Sequence, residues 1–244
     1  MSFDVAACAR AGHVMPWMRS AVSGIRALCS SMLDVFFPVP QLDGERRLLE
    51  APFCERCGHP YWGQIQGRFR CSNCGGRACH YVAARAQYLN RGVVRETIHA
   101  FKYRREYWLR RTLGEWVVEG FERHYGAERF DAIVPVPLHP RRLGWRGFNQ
   151  AEELAKALSR RSGLPVIRAL RRLKDTAAQV AMGRRERRSN VRGAFGLAGS
   201  GTYRDTRILL VDDVLTTGST IDECARQLRR AGAMSVHAIT VARG

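Results

Sequence analysis

The chain has 244 residues, of which 45% are hydrophobic, enough for one full-sized domain and a small second one. No apolar run approaches the roughly 20 residues of a membrane span. The first ten residues contain Asp4 and no extended apolar stretch, so we expect neither a signal peptide nor a membrane span and interpret the protein as cytoplasmic. The formal charge of +18 indicates a polyanionic partner, whether nucleic acid, a phosphate-rich ligand or a membrane surface.

A helix is predicted near the N-terminus, over Val14–Phe37, where apolar residues recur near helical spacing. Pro38 and Pro40 end it, because proline has no backbone donor and restricts the residue before it. This helix packs either on its own protein or on a membrane or partner. We favour the first interpretation, because its polar face is poor in arginine.

Two closely spaced cysteine pairs mark Glu50–His80 as a metal-binding module. The pairs follow the pattern Cys-x-x-Cys, are separated by 13 residues and comprise Cys54, Cys57, Cys71 and Cys74. Each pair can donate two thiolates from a tight knuckle, and two knuckles complete a tetrahedral Zn²⁺ site. Gly58 and Gly75 directly follow the second cysteine of each pair, where a knuckle needs an unhindered turn.

A zinc ion with four protein ligands is structural, and here it would supply folding energy because the module has few apolar residues. Four unrelated buried cysteines are the less favoured alternative. Three nearby residues complicate the ligand assignment, namely His59, Cys79 and His80.

Beyond the cysteines, the pattern predicts a strand over Tyr81–Tyr88 and helices over Val93–Phe101 and Trp108–His124. From Asp131 onward, strands and helices alternate. The predicted strands are Asp131–Val136, Val166–Leu170, Arg207–Val211 and Ser235–Val241, and the predicted helices are Asn149–Ser162 and Ser219–Ala231. Strands separated by helices form a parallel sheet with right-handed crossovers, so the predicted fold class is α/β.

The candidate binding site follows the apolar run Ile208–Val211, which is typical of a central parallel strand. Two acids, Asp212 and Asp213, come next and can accept hydrogen bonds from vicinal ribose hydroxyls or help to hold Mg²⁺. A loop then leads into a helix, whose N-terminus attracts phosphate. The loop residues are Thr216, Thr217, Gly218, Ser219 and Thr220. An ordinary N-capped helix would explain only one of the four hydroxyls.

A proline-rich turn, Val134–Arg142, follows the Asp131–Val136 strand and leads to Arg146–Gln150 at a helix start. The prolines stiffen the turn. Its arginines, Arg141 among them, are suited to two-pronged contacts with pyrophosphate.

The segment Val211–Gly218 resembles the signature of the type I phosphoribosyltransferases. Together with the proline-rich turn and Arg146–Gln150, it resembles the ComF family of competence-related proteins. Three further segments agree with that family and lie in the same order, over about residues 50 to 244: Ile98–Tyr103, Arg172–Gln179 and Glu186–Asn190 before Ala194 and Phe195.

The resemblance implies roles for these residues. Asp212 and Asp213 would contact the ribose hydroxyls of phosphoribosyl pyrophosphate and act as the catalytic pair, and the loop Thr216–Thr220 would bind its 5-phosphate. The pyrophosphate would be balanced by Lys102, His139 and Arg141, with Mg²⁺ as the accompanying cofactor.

A closing segment over the site is implied by the same resemblance, and here it is Lys174–Arg192. Its cations would shield pyrophosphate from water, and the lid residues singled out are Lys174, Arg184 and Arg188. A solvated basic helix is the less favoured alternative. From Arg141 to Arg192 there are 13 arginines and 2 lysines against 4 acids, an excess of +11 that suggests a rim for nucleic acid.

The sequence departs from the family at its start. ComF-like proteins often carry an earlier set of zinc ligands, whereas Cys8 and Cys29 are too far apart for a knuckle. We therefore expect one zinc, with the N-terminal helix replacing the first ribbon. The predicted parts are residues 1–49, a helical segment; 50–80, a zinc ribbon; and 81–244, a type I phosphoribosyltransferase-like parallel sheet flanked by helices.

The favoured function is a phosphoribosyltransferase with unknown acceptor, which the resemblance connects with competence and DNA uptake. No general base for an acceptor and no nucleobase pocket is recognisable in the sequence. The alternative is a non-catalytic nucleotide-sensing or single-stranded-DNA-binding accessory protein with the same fold, with DNA-uptake proteins as further candidate partners.

Overall fold

A four-stranded parallel sheet forms the centre of the computed structural model, which describes residues 44–63, 65, 67–76, 78–175 and 191–244. Its strands, in chain order, are β1 (Ala84–Leu89), β2 (Ala132–Pro135), β5 (Arg207–Leu215) and β6 (Ser235–Arg243). Their spatial order is β1-β6-β5-β2, and every neighbouring pair is parallel. The predicted α/β fold class is confirmed.

Helices cover both faces of the sheet. Within the described ranges, the α-helices are α1 (Gly92–Tyr103), α2 (Arg110–Tyr125), α3 (Pro140–Arg146), α4 (Gln150–Ser162) and α5 (Ser219–Arg230), and a 3-10 turn spans Tyr107–Leu109. Helix α2 packs on β1 and β6, and α4 packs on β2 and β5. Side chains alternate along each strand, so the other face of β5, with Ile208 and Leu210, meets Ile221 and Leu228 of α5.

A second, two-stranded sheet was not predicted. It pairs β3 (Leu170–Arg172) with β4 (Phe195–Leu197) in antiparallel fashion. The predicted strand over Val166–Leu170 is wrong in its bounds. The strand found begins at Leu170, and Val166 makes only a single parallel bridge to Ile133. Apolar residues on both sides of Arg168 produce a strand-like pattern, but the backbone leaves the edge of the main sheet before reaching Leu170.

Strand β5 continues further than predicted. The prediction ended it at Val211, whereas the strand runs through Leu215 because β6 extends beside it to Arg243. Asp212 and Asp213 consequently lie within the strand, with Asp212 opposite Thr240 in the register. Consecutive strand residues face opposite sides of a sheet, so the two carboxylates have different surroundings.

The cysteine module belongs to the same compact unit, Asp43–Gly244, as the sheet. Its four cysteines share one apolar cluster with residues of β5 and α5. The boundary between a 50–80 module and an 81–244 domain stays a prediction. The predicted helix Val14–Phe37, Cys8, Cys29 and the lid residues Arg184 and Arg188 lie outside the described residues. Among the residues that are described, no helix is both long and apolar enough to span a membrane.

Candidate functional site

The loop between β5 and α5 leads directly into the first turn of the helix. Gly218 is the N-cap of α5 with φ +75°, a left-handed conformation that favours glycine. The Thr217 and Ser219 hydroxyls lie 2.9 Å apart, and the Ser219 amide donates to Thr217 Oγ1 at 3.4 Å. Gly218 has no side chain that could cap the helix. The predicted hydroxyls and the first amides of the helix therefore lie together in one loop.

The acidic pair is held by its own backbone and by α1. The Asp213 amide donates to Asp212 Oδ1 at 2.9 Å, and the Val214 amide donates to Asp213 Oδ1 at 2.9 Å. Asp213 is 3% exposed and forms an ion pair through Oδ2 with Lys102 Nζ of α1. The predicted site residues Lys102 and Asp213 therefore lie together, although the pairing itself was not predicted.

Burial dominates the electrostatics around Asp212. It raises the pKa of Asp212 to about 6, an effect that Lys102, Arg172 and Arg146 partly offset. Burial likewise lowers the pKa of Lys102 to about 8, with Asp212 opposing the shift and Arg146 adding to it. The charges of three cations thus act on the Asp212 carboxylate, which is half-buried.

Two of these cations, Arg146 and Arg172, were not named as site residues from the sequence. Arg146 is buried at the end of α3 and donates to Gln150 Oε1 at 2.5 Å. Arg172 of β3 lies over the Phe195 ring at 5.3 Å. Burial lowers the pKa of each guanidinium. Both residues lie in segments that carry the family resemblance, Arg146–Gln150 and Arg172–Gln179, and that resemblance was the signal that could have identified them.

The proline-rich turn continues into α3, whose first turn carries the other predicted pyrophosphate residues. His139 caps this helix, with Nδ1 accepting from the Arg141 amide at 3.3 Å. Both side chains lie 3.9 Å from Asp175, whereas Arg142 Nε approaches the same carboxylate to 3.3 Å. Arg141 is 85% exposed at its side chain. The structure therefore places Arg142 closer than Arg141 to Asp175.

Lys174 is the one of the three predicted lid residues that is described. Its Nζ donates to the Arg192 carbonyl at 3.4 Å. The two ends of the predicted closing segment, Lys174 and Arg192, are therefore adjacent. The amide of the next residue, Gly193, donates to Glu223 Oε1 of α5 at 3.0 Å. The C-terminal end of the segment is therefore attached to the helix that follows the loop.

The four predicted metal ligands, Cys54, Cys57, Cys71 and Cys74, form one buried cluster in which all sulfur atoms lie within 4.8 Å of one another. This spacing and the all-thiol donor set fit a tetrahedral zinc site. Burial opposes ionisation of Cys54, but hydrogen bonds from the Cys57, Cys71 and Arg56 backbones outweigh it and bring its pKa to about 7. The pKa of Cys57 rises to about 11 through burial and its cysteine neighbours. All four cysteines are free of disulfides.

One detail of the knuckles differs from the prediction. Gly58 has φ +61°, and a Cβ there would lie 2.9 Å from the Ala84 carbonyl oxygen. In the second knuckle, Gly76 with φ +69° takes the left-handed position rather than Gly75. The second turn therefore ends one residue later than the first.

Exposed aromatic rings interleave with arginines beside α1. We call this the aromatic surface, and its rings are Tyr103, Tyr107, Trp108 and Trp145. Guanidinium groups lie over three of the rings: Arg146 over Tyr103 at 5.5 Å, Arg110 over Tyr107 at 4.2 Å and Arg105 over Trp145 at 5.9 Å. Tyr103 directly follows Lys102, so the surface adjoins the acidic pair.

Comparison with known proteins identifies the family. Residues 145–244 match the family described as phosphoribosyl transferase domain. Competence protein ComFC of Streptococcus pneumoniae is 28% identical over 162 residues, which cover 66% of this chain and 69% of that protein. DNA utilization protein YhgH of Escherichia coli K12 is 40% identical over 115 residues, about half of either protein, with coverage of 47% and 50%.

Among solved structures, a purine phosphoribosyltransferase from Pyrococcus horikoshii overlaps with a TM-score of 0.35 at 13% identity, covering 56% of this chain and 84% of that chain.

Competence protein F of Haemophilus influenzae is 31% identical over 215 residues, which cover 82% of this chain and 88% of that protein. The chain therefore belongs to the competence protein F (ComF) family and contains a phosphoribosyl transferase domain.

Proposed function

We propose that the chain binds phosphoribosyl pyrophosphate and transfers its phosphoribosyl group to an acceptor. The observation that carries this proposal is the continuity of Asp212–Asp213 with the loop Thr216–Thr220 at the N-terminus of α5. Anion-binding amides and paired carboxylates on one strand–loop–helix unit suit a ligand with a phosphate at one end and vicinal hydroxyls beside it.

The reaction would break the bond between C1 of the ribose and the pyrophosphate oxygen and form a bond from C1 to the acceptor, with pyrophosphate leaving. Asp212 and Asp213 would accept hydrogen bonds from the ribose hydroxyls. The amides and hydroxyls of Thr216–Thr220 would hold the 5-phosphate. The protein's contribution is positioning and charge neutralisation.

Pyrophosphate would be balanced by cations near the acidic pair and at the start of α3. The charges of Lys102, Arg146 and Arg172 act on Asp212, and His139 and Arg141 lie at the start of α3. The acidic pair is the donor set here that suits Mg²⁺, which prefers oxygen ligands. When bound with the ligand, Mg²⁺ would supply further charge neutralisation.

A second candidate function is an accessory role in which the same site binds the ligand without turnover and the chain binds single-stranded DNA. The aromatic surface favours it, because exposed rings interleaved with arginines suit base stacking on a basic groove. The net charge of +18 and the names of the competence and DNA-utilization relatives agree with it.

The deciding experiment incubates the protein with phosphoribosyl pyrophosphate, Mg²⁺ and a panel of bases and measures pyrophosphate release. We expect release that falls by about 10²-fold in Asp213→Asn. The matched control is Asp131→Asn at the opposite end of β5, where Oδ2 accepts from the Arg207 amide at 2.7 Å, and it should keep wild-type release. Ligand binding without release, together with salt-sensitive binding of single-stranded DNA, would favour the accessory role instead.

We also propose one structural zinc per chain at the cysteine cluster. Free thiolate ligands persist in a reducing compartment, which supports a cytoplasmic location.

A further inference from the structure

The cysteine module contacts the phosphate-binding loop through several buried side chains. One of them is Arg243, the last residue of β6, which is 5% exposed. Its Nη1 donates to the Leu215 carbonyl at 2.8 Å and also to the carbonyls of Thr216 and Gly244. Its Nη2 lies 3.3 Å from Nδ1 of His59. Arg243 therefore joins the start of the loop to a residue of the first cysteine knuckle.

His59 is itself part of that knuckle. Its carbonyl accepts from the Cys54 amide at 2.8 Å, and it lies two residues after Cys57. A rearrangement of the knuckle would therefore move the imidazole beside Arg243. The N–H donors of a guanidinium are fixed in one rigid plane. Displacement of the hydrogen bond at Nη2 therefore alters the hydrogen bonds at Nη1.

Tyr81 makes the second connection. Its ring is buried in the same apolar cluster as the four cysteines. Its hydroxyl oxygen lies 3.1 Å from the position that a Cβ on Gly218 would occupy, so it packs directly against the loop. Its carbonyl accepts from Arg56 Nη1 of the first knuckle at 2.6 Å.

His80, which directly precedes Tyr81, makes the third connection. The His80 amide donates to Asp222 Oδ1 at 2.8 Å, and Asp222 lies in the first turn of α5. The Asp222 amide in turn donates to the Gly218 carbonyl at 2.9 Å. The module is thus connected to the loop and the start of α5 before, at and after Gly218.

We propose that Arg243 is the positioning residue that couples the cysteine cluster to the phosphate-binding loop, so that metal at the cluster and a ribose 5-phosphate group at the loop strengthen each other's binding. This inference rests on the proposed function, since it requires that the loop hold a phosphate. Coupling between two sites is reciprocal in free energy. The effect of the sugar phosphate can therefore be read from the affinity for zinc, without any catalytic assay.

The test is an equilibrium competition for zinc between the protein and a chromogenic chelator, with and without saturating ribose 5-phosphate. For the wild type we expect ribose 5-phosphate to tighten zinc binding by about fivefold or more. The measured ratio is the zinc affinity with ribose 5-phosphate divided by the zinc affinity without it. Arg243→Lys keeps the positive charge but loses the planar guanidinium, so this variant should still bind one zinc and show a ratio near one. His59→Ala removes the link from the knuckle side and should reduce the ratio in the same way, which keeps the test independent of how well Arg243→Lys folds.

Arg229→Lys is the matched control. Arg229 also donates to two backbone carbonyls, those of Ala233 and Met234, but at the opposite end of β6, and its substitution should leave the ratio unchanged. Ribose 5-phosphate binding with no change in the wild-type zinc affinity would overturn the coupling alone. Absence of ribose 5-phosphate binding would overturn both the coupling and the proposed function. An unchanged ratio in both Arg243→Lys and His59→Ala would remove these residues from the connection.

Discussion

At the scale of single residues, the candidate site contains ionisable groups whose pKa values burial shifts toward the neutral form, lowering that of Lys102 and raising that of Asp212. Lys102 is 17% exposed at its side chain and is paired with Asp213. An ammonium in this position costs desolvation, and the Asp213 carboxylate compensates. The same cation is available to a polyanionic ligand only while it is protonated.

The affinity for phosphoribosyl pyrophosphate is expected to fall as the pH rises through about 8. The pKa of Lys102 lies near 8, so its ammonium is present below this pH and is lost above it. The ligand's phosphate is fully ionised well above its second pKa of about 6 and does not titrate there. Calorimetric titration at pH 7 and pH 9.5 should show a decrease on the order of tenfold.

Arginine stays charged throughout this range, so Lys102→Arg should bind with little dependence on pH. Lys156→Met, on the exposed side of α4, should retain the wild-type profile. A wild-type affinity that is constant to pH 9.5 would show that the charge of Lys102 does not contribute to ligand binding.

At the scale of elements, β5, the loop and α5 form the proposed binding unit, and Gly218 joins the loop to the helix in a left-handed conformation with φ +75°. Gly218→Ala should destabilise the protein and weaken ribose 5-phosphate binding, because alanine at φ +75° is strained and its Cβ would lie 3.1 Å from the Tyr81 hydroxyl. Gly163 at the end of α4 is a matched control, with φ +76° and open space around it. Gly163→Ala should cost only the backbone strain, about 1 to 2 kcal/mol.

Urea denaturation measures the free energy of unfolding of both variants, and calorimetry measures their affinity. A Gly218→Ala protein with the same stability loss as Gly163→Ala and with unchanged affinity would contradict this account of the loop.

The sequence was informative about elements whose patterns are local. The apolar run Ile208–Val211, the hydroxyl-rich loop and the cysteine spacing each depend on neighbours along the chain, and each was recognised. The β3–β4 pairing was missed, because its partners are separated by more than twenty residues and three-residue strands have no clear periodicity. The Lys102–Asp213 ion pair was missed for the same reason, since it joins residues far apart in sequence.

At the scale of the whole molecule, the four cysteines share one apolar cluster with residues of the sheet and lie in the same compact unit, Asp43–Gly244. Metal that binds the folded state alone stabilises whatever unfolds with it. Removal of zinc by a chelator should therefore lower the midpoint of a single thermal transition in which the signals of module and sheet are lost together.

Differential scanning calorimetry before and after chelation checks this expectation, and zinc analysis of the purified protein should give one ion per chain. Re-addition of zinc should restore the midpoint. Two separate transitions, of which only one responds to zinc, would contradict the shared core. A stoichiometry of two zinc ions would contradict the assignment of a single cluster.

Calorimetric titration with ribose 5-phosphate and, in parallel, with ribose tests the proposal that the loop Thr216–Thr220 and the pair Asp212–Asp213 hold a phosphoribosyl group. We expect one ribose 5-phosphate per chain, no detectable binding of ribose, and an affinity for ribose 5-phosphate reduced about tenfold or more in Asp213→Asn. Equal binding of both sugars, or an Asp213→Asn variant with wild-type affinity, would contradict it.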